Sequence, residues 1–262
     1  MTADRDLKLL THVISALNEN ADTLPARMNI GCDAVIVNQC DENGVRDITH
    51  EDHNIRIISS TGRGVGRSRN TGLLEVDTPY FLIGDEDIVY KDGYADAVIN
   101  ALEAHPEADV LLFNVEQSTG RSTYHSGSYG RVRFYNCGRY PAYSIAMRTD
   151  AWLNANVWFS LLFGGGAKYA AGEDSLFLMD LLRKGVRIYH MPVCLGRESD
   201  RESTWFRGFD DKYFRDRGRL YRSLYGHFAP VMSIYFLFRK RKEWLQGRRF
   251  LPSLSLMIEG MR

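Results

Sequence analysis

The sequence predicts an α/β protein: a mostly parallel sheet flanked by helices, followed by a C-terminal helical extension. Three observations carry that expectation. Short apolar runs recur at 9–16, 34–37, 55–58, 80–83, 110–113 and 186–189. Segments of helical period lie between them, and such alternation argues for strands joined by crossover helices. After Pro192 the pattern changes to long basic, aromatic-rich stretches at 206–225 and 232–248.

Each run reads as a strand because it is short, apolar on both faces and rich in β-branched or aromatic residues. Tyr80-Phe81-Leu82-Ile83 is the clearest, ending directly in three acids. The segments 66–74 and 93–103 follow glycine-containing turns, and 173–184 places Leu176, Phe177, Leu181 and Leu182 on one helical face before Gly185 stops it. The expected organisation is a sheet domain over 1–197 and a helical extension over 198–262. That extension is read as a cap packed on the sheet, as a contact with acceptor or membrane, or as both.

At 262 residues the chain can bury one substantial core. Its net charge is zero, but residues 201–262 hold 14 Lys and Arg against 6 Asp and Glu, a net of +8, so residues 1–200 carry −8. An acidic body is a poor nucleic-acid surface, which disfavours that class of partner. The basic Arg239-Lys240-Arg241-Lys242 beside apolar Ile234-Tyr235-Phe236-Leu237-Phe238 fits an anionic membrane surface. Cys32, Cys40, Cys137 and Cys194 lack metal-ligand or disulfide spacing and read as reduced thiols. No secretory signal or spanning segment is evident, so the expected location is cytoplasmic, with peripheral contact to the inner face of the plasma membrane.

Three features carry chemistry. Asp85, Glu86 and Asp87 crowd three carboxylates at the end of a strand, where open α/β sheets collect ligands. They repel one another unless a hard divalent cation such as Mg²⁺ or Mn²⁺ sits among them. Arg63-Gly64-Val65-Gly66-Arg67-Ser68-Arg69-Asn70 leads from a glycine turn into a helix, with arginines suited to a diphosphate neighbour. It is not a dinucleotide fingerprint, because Arg67 stands where the third glycine belongs. Gly172-Glu173-Asp174 opens a helix, where acids favour the positive end of the dipole or supply a general base.

Taken in order, the turn at Asn18, the strand end Asn38-Gln39-Cys40-Asp41, the segment Gly64 to Gly72, the acidic triplet and Glu173-Asp174 resemble family-2 glycosyltransferases of the GT-A fold over roughly residues 8–195. The resemblance implies a Rossmann-like sheet and a nucleoside-diphosphate-sugar donor, a UDP-sugar first. It implies that Asn18, Asn38 and Gln39 contact the base, Arg69 the nucleotide and Asp85 the ribose side, with Glu86 beside it. Asp87, with Asp85, holds Mn²⁺ or Mg²⁺. Asp174, beside Glu173, deprotonates the acceptor hydroxyl. Where the family usually ends its second strand in two aspartates, this chain has Asn38-Gln39.

The implied reaction is an inverting, metal-dependent transfer to a saccharide or glycolipid acceptor in cell-surface polysaccharide synthesis. Tyr143, Arg148, Trp152, Trp158 and Trp205, with the stretch Ser203-Thr204-Trp205-Phe206, lie where such a fold builds its acceptor side. His190 follows a strand and reads as structural rather than as a metal ligand. Two alternatives stand beside this reading. A nucleotidyltransferase would need a glycine-rich loop after the first strand, which Ala16-Leu17-Asn18-Glu19 does not offer. A non-catalytic nucleotide- or lipid-binding protein of the same fold would need a basic surface beyond the tail.

Overall fold

A computed structural model describes residues 8–117, 124–199 and 208–262. In chain order its elements begin with β1 (Leu10–Leu17), α1 (Leu24–Met28), β2 (Asp33–Gln39), β3 (Gly44–His50), β4 (His53–Ser60), α2 (Val65–Leu73), β5 (Tyr80–Asp85) and β6 (Ile88–Tyr90). They continue with α3 (Tyr94–Ala104), β7 (Val110–Glu116), β8 (Gly130–Arg131), β9 (Ile145–Arg148), α4 (Thr149–Ala155), α5 (Glu173–Arg183) and β10 (Ile188–Glu198). The C-terminal part is helical: α6 (Asp211–Tyr225), α7 (Ala229–Arg239), α8 (Arg241–Trp244) and α9 (Phe250–Gly260).

Among the described residues the strands form one ten-stranded sheet in the order β3-β4-β2-β1-β5-β9-β7-β10-β6, with β8 paired to β10 off that path. β4, β2, β1 and β5 run parallel, as do β7 and β10, while β9 lies antiparallel between β5 and β7. All six apolar runs are strands. Alternate residues along them enter opposite cores: Val13, Phe81, Ile83 and Leu112 on one face, Ile14, Leu82, Leu111 and Phe113 on the other. Burial on both faces is why these runs lack a polar alternation.

Four strands escaped the sequence reading, among them the two-residue β8, too short to carry a pattern. β3 is largely exposed at the sheet edge and carries no apolar signal, and β6 and β9 span only Ile88–Tyr90 and Ile145–Arg148. The expected helix over 232–248 is divided. Pro230 starts α7 earlier, Lys240 ends it, and the left-handed Gln246 and Gly247 turn the chain into α9. Phe214, Leu220, Leu237 and Met257 of this region belong to the same buried cluster as Val13 and Phe81, so the C-terminal helices close one face of the sheet. All four cysteines are free thiols.

β1 lies between β2 and β5, and the chain passes from one side of β1 to the other between them. That makes the carboxyl ends of β1 and β5 a topological switch point, where open α/β sheets place their ligand crevice. Ser15 is in register with Asp85, so the acidic triplet emerges beside the end of β1.

Candidate active site

The segment Gly64 to Gly72 builds the site's central residue through a series of local contacts. A Cβ on Gly72 would meet the Val13 side chain at 2.5 Å, so its absence lets α2 settle on β1. Ser15 donates to Ser68 Oγ at 2.9 Å, and Ser68 donates to the Val37 carbonyl at 3.2 Å, tying the helix to β1 and β2. Asn70 donates Nδ2 to the Phe159 carbonyl at 2.9 Å and accepts the Phe159 N–H at 2.9 Å. This pins the Phe159 ring, stacked 4.0 Å from Phe177, against the Arg69 guanidinium, which sits 5.2 Å from the Phe159 centroid.

Arg69 is 3 % exposed and draws together acids distant in sequence. Its Nη2 donates to both Asp85 oxygens at 2.9 and 3.1 Å, and its Nη1 donates to Asp174 Oδ1 at 2.9 Å and Glu173 Oε1 at 3.2 Å. The end of β5 and the start of α5 thus meet on one guanidinium. Burial opposes its charge, but Asp85, Asp174 and Glu173 more than compensate and raise its pKa. Burial first, then Glu173, push the Asp174 carboxyl well above the usual carboxylate range against the pull of Arg69, with Asp85 adding to the rise. Glu86 is pushed up to about 8 by burial and by the Asp85 charge. Asp174 nevertheless keeps 26 % of its side-chain surface open to solvent.

The residues expected at the nucleotide end gather at the neighbouring loops. Asn18 stands in the left-handed region at φ 52°, and its Oδ1 accepts from Arg63 at 3.3 Å. Arg63 also bonds Asp41 at 2.6 Å and the Gln39 carbonyl. Asn38 is buried, donating to the Glu19 carbonyl at 2.7 Å and accepting the Glu19 N–H at 3.1 Å. Gln39 is buried too, and its Oε1 accepts the Gly64 N–H at 2.7 Å. Both amides therefore shape the loops around the crevice through backbone bonds. Arg27, which the sequence did not single out, links Glu19 (2.8 Å) to the Glu86 carbonyl (3.3 Å) across the same rim.

Several expected acceptor-side residues serve the scaffold. Arg148 donates Nε to the Ala108 carbonyl at 3.0 Å, and Trp152 donates Nε1 to the Val157 carbonyl at 2.8 Å from within the core. Tyr143 is buried and its hydroxyl accepts from Gln117 at 3.1 Å, while Trp158 stays partly exposed, edge-on to Trp152. Trp205 and the stretch 203–206 lie outside the described residues. His190 is held by the Ser128 carbonyl at 2.8 Å, in keeping with a structural role.

Among the described residues no set of three His, Cys, Asp or Glu side chains forms a preformed metal cage. The donor chemistry at the end of β5 nevertheless fits a hard divalent ion. Mg²⁺-type sites use one or two carboxylates with the remaining oxygens supplied by phosphate and water. Asp85 and Asp87 could supply such carboxylates, and a Glu86 held up at about 8 lessens the repulsion within the triplet.

The sequence profile of glycosyl transferase family 2 matches residues 11–155, more than half of the chain, including Arg69 and the acidic triplet. No curated protein matches the sequence. The fold is similar to that of S. aureus TarS 1–349 in complex with UDP-GlcNAc (TM-score 0.66, 14 % identity, covering 97 % of this chain and 82 % of that one). The same TarS fragment in complex with UDP gives a TM-score of 0.63 at 13 % identity, covering 96 % and 80 %. Mannosyltransferase PcManGT from Pyrobaculum calidifontis, in complex with GDP-Man and Mn²⁺, gives 0.55 at 13 % identity, covering 95 % and 74 %. At such identities the likeness is one of fold. The family match spans β1 to α4 and contains the switch-point crevice, so the chain belongs to glycosyl transferase family 2 and is a glycosyltransferase of the GT-A fold.

Proposed function

We propose that this glycosyltransferase moves a sugar from a nucleoside-diphosphate donor, a UDP-sugar, to a hydroxyl of a saccharide or glycolipid, with inversion and with a divalent metal. The observation that supports this reading best is the Arg69 junction, which sets the donor-side Asp85 and the candidate base Asp174 on opposite ends of one guanidinium. Solved neighbours hold UDP-GlcNAc, UDP, and GDP-Man with Mn²⁺, which favours a nucleotide sugar in the corresponding crevice here.

In this mechanism the donor's diphosphate lies over the end of β5, with the base and ribose toward the loops of Asn18, Asn38 and Gln39. Asp87 and Asp85 would hold the metal, which when bound supplies positive charge against the leaving diphosphate. Asp174 accepts the proton of the acceptor hydroxyl as that oxygen bonds the anomeric carbon and the sugar–phosphate bond breaks. A single displacement with one base inverts the anomeric centre. Arg69 fixes the orientation of Asp174, and burial makes its carboxylate a stronger base than an ordinary aspartate.

The setting proposed is cell-surface polysaccharide synthesis at the inner face of a membrane. No described helix is long and apolar enough to cross a membrane. α7 and the residue before it expose Phe228, Val231, Ile234 and Phe238 at 49–72 %, directly ahead of Arg239-Lys240-Arg241-Lys242. Apolar side chains beside a basic cluster suit the interface of anionic lipid. The donor assignment is tested by a thermal-shift and hydrolysis screen of UDP- and GDP-sugars with and without Mn²⁺. Metal-dependent stabilisation by a nucleoside diphosphate, weakened at least tenfold in apparent affinity by Asp87→Ala, is expected. Equal binding by that variant, or no nucleotide response at all, removes the donor site from β5.

A further inference from the structure

A second cavity, of about 1080 Å³, opens between α6, α7 and residues 124–139. Its wall includes Ser175, in the first turn of α5, and Leu220, whose side chain lies over the Gly172 cap of that helix. Among the described residues four Arg and Lys line it, Arg139, Arg217, Arg239 and Lys240, and no Asp or Glu does. The rest of the wall is largely aromatic.

The arginines are held by rings and hydroxyls. Arg217 rests 5.1 Å from the Tyr213 centroid and 5.3 Å from that of Trp244, and donates to the Tyr213 hydroxyl at 3.0 Å. Arg139 lies 4.6 Å over Tyr124, and Arg239 donates to the Tyr235 hydroxyl at 2.8 Å. Among the described residues none of these three arginines is paired with a carboxylate, whereas Lys240 is paired with Glu243 at 2.7 Å. Guanidinium groups steadied on aromatic faces keep their charge and most of their donors available, and that geometry matches phosphate or carboxylate oxygens. The neighbouring rings offer flat apolar faces for sugar or polyol carbons. A neutral glycan would leave these cations without counter-charge.

Resting on the glycosyltransferase reading above, we infer that this cavity binds the acceptor and that the acceptor is an anionic glycan, its phosphate or carboxylate groups met by Arg139, Arg217 and Arg239 while its terminal hydroxyl reaches Asp174. Phosphate and carboxylate share this chemistry, and the test separates them.

The test measures binding of length-matched fluorescent phosphorylated dextran, oligogalacturonate and neutral dextran to the full chain, with UDP plus Mn²⁺ titrated into the same wild-type sample. Either anionic glycan is expected to bind at least tenfold tighter than neutral dextran, and the tighter of the two identifies the anion. Arg217→Gln is expected to weaken that binding at least tenfold. Should Arg217→Gln lose its fold by circular dichroism, the outward Arg139→Gln and Arg239→Gln pair carries the same expectation. Equal binding of neutral dextran, undiminished binding by the variants, or response only to phosphatidylglycerol vesicles overturns the inference. A missing UDP response with intact glycan binding would instead count against the donor reading.

Discussion

Arg69 is where the chemistry of this protein converges. A buried guanidinium shared by Asp85, Glu173 and Asp174 has little alternative solvation, and removing it leaves three carboxylates facing one another. Arg69→Met is therefore expected to destabilise the fold by about 3 kcal/mol in urea unfolding near neutral pH, the lower end for a broken buried ion pair because two of the acids keep some solvent contact. The loss should shrink as acid protonates the freed carboxylates. A loss well under 1 kcal/mol would show that the acids do not depend on Arg69. The sequence made Arg69, Asp85, Glu173 and Asp174 legible one by one, through residue type and position at turns. It could not show that they meet, because an ion pair spanning 104 residues of chain is a property of packing. Asn38 and Gln39 mark the same limit: residue type does not tell which backbone N–H an amide oxygen accepts, here those of Glu19 and Gly64.

At the scale of elements, close approach decides the architecture around the crevice. α6 and α9 cross at a reciprocal pair of glycines. A Cβ on Gly218 would come within 1.9 Å of the Met257 carbonyl oxygen, and one on Gly260 within 2.0 Å of that of Arg215. Gly218→Ala must push these helices apart and is expected to lose about 1–3 kcal/mol, the usual range for overpacking. For a chain of this size that is a fall in Tm of about 2–4 °C per kcal/mol. An unchanged Tm would mean that α9 is not held against α6. The core strands and α2, α3 and α5 were readable because apolar period and glycine stops agree there. β3 was not, since an exposed edge strand has no apolar face to declare itself, and the turn at Gln246 and Gly247 hides in a stretch whose composition still favours helix.

Across the whole molecule, acidic pH sets opposing groups against each other. His12 is fully buried between the Tyr90 and Tyr94 hydroxyls, at 3.1 and 2.9 Å, and burial lowers its pKa to about 3. The unfolded chain, with an ordinary histidine near pH 6.5, then binds more protons than the folded one between those values. The His12 contribution to stability is complete above that pH and is lost at about 1.4 kcal/mol per pH unit below it. Glu86 acts in the other direction, since its raised pKa of about 8 makes the folded chain hold the extra proton. The His12 slope is therefore to be read from wild type minus His12→Gln between pH 6.5 and 5, where a flat difference would contradict it. The sheet and its crevice could be foreseen from the chain, but the cavity beside α5 could not, because its wall combines α6, α7 and residues 124–139. The central claim, that donor site and base form one machine across the Arg69 junction, is tested most directly by comparing Asp174→Asn with wild type in donor affinity and in sugar transfer. An unchanged donor Kd is expected, with transfer reduced about 10²- to 10⁴-fold, the range for a lost general base. Transfer at the wild-type rate would contradict it.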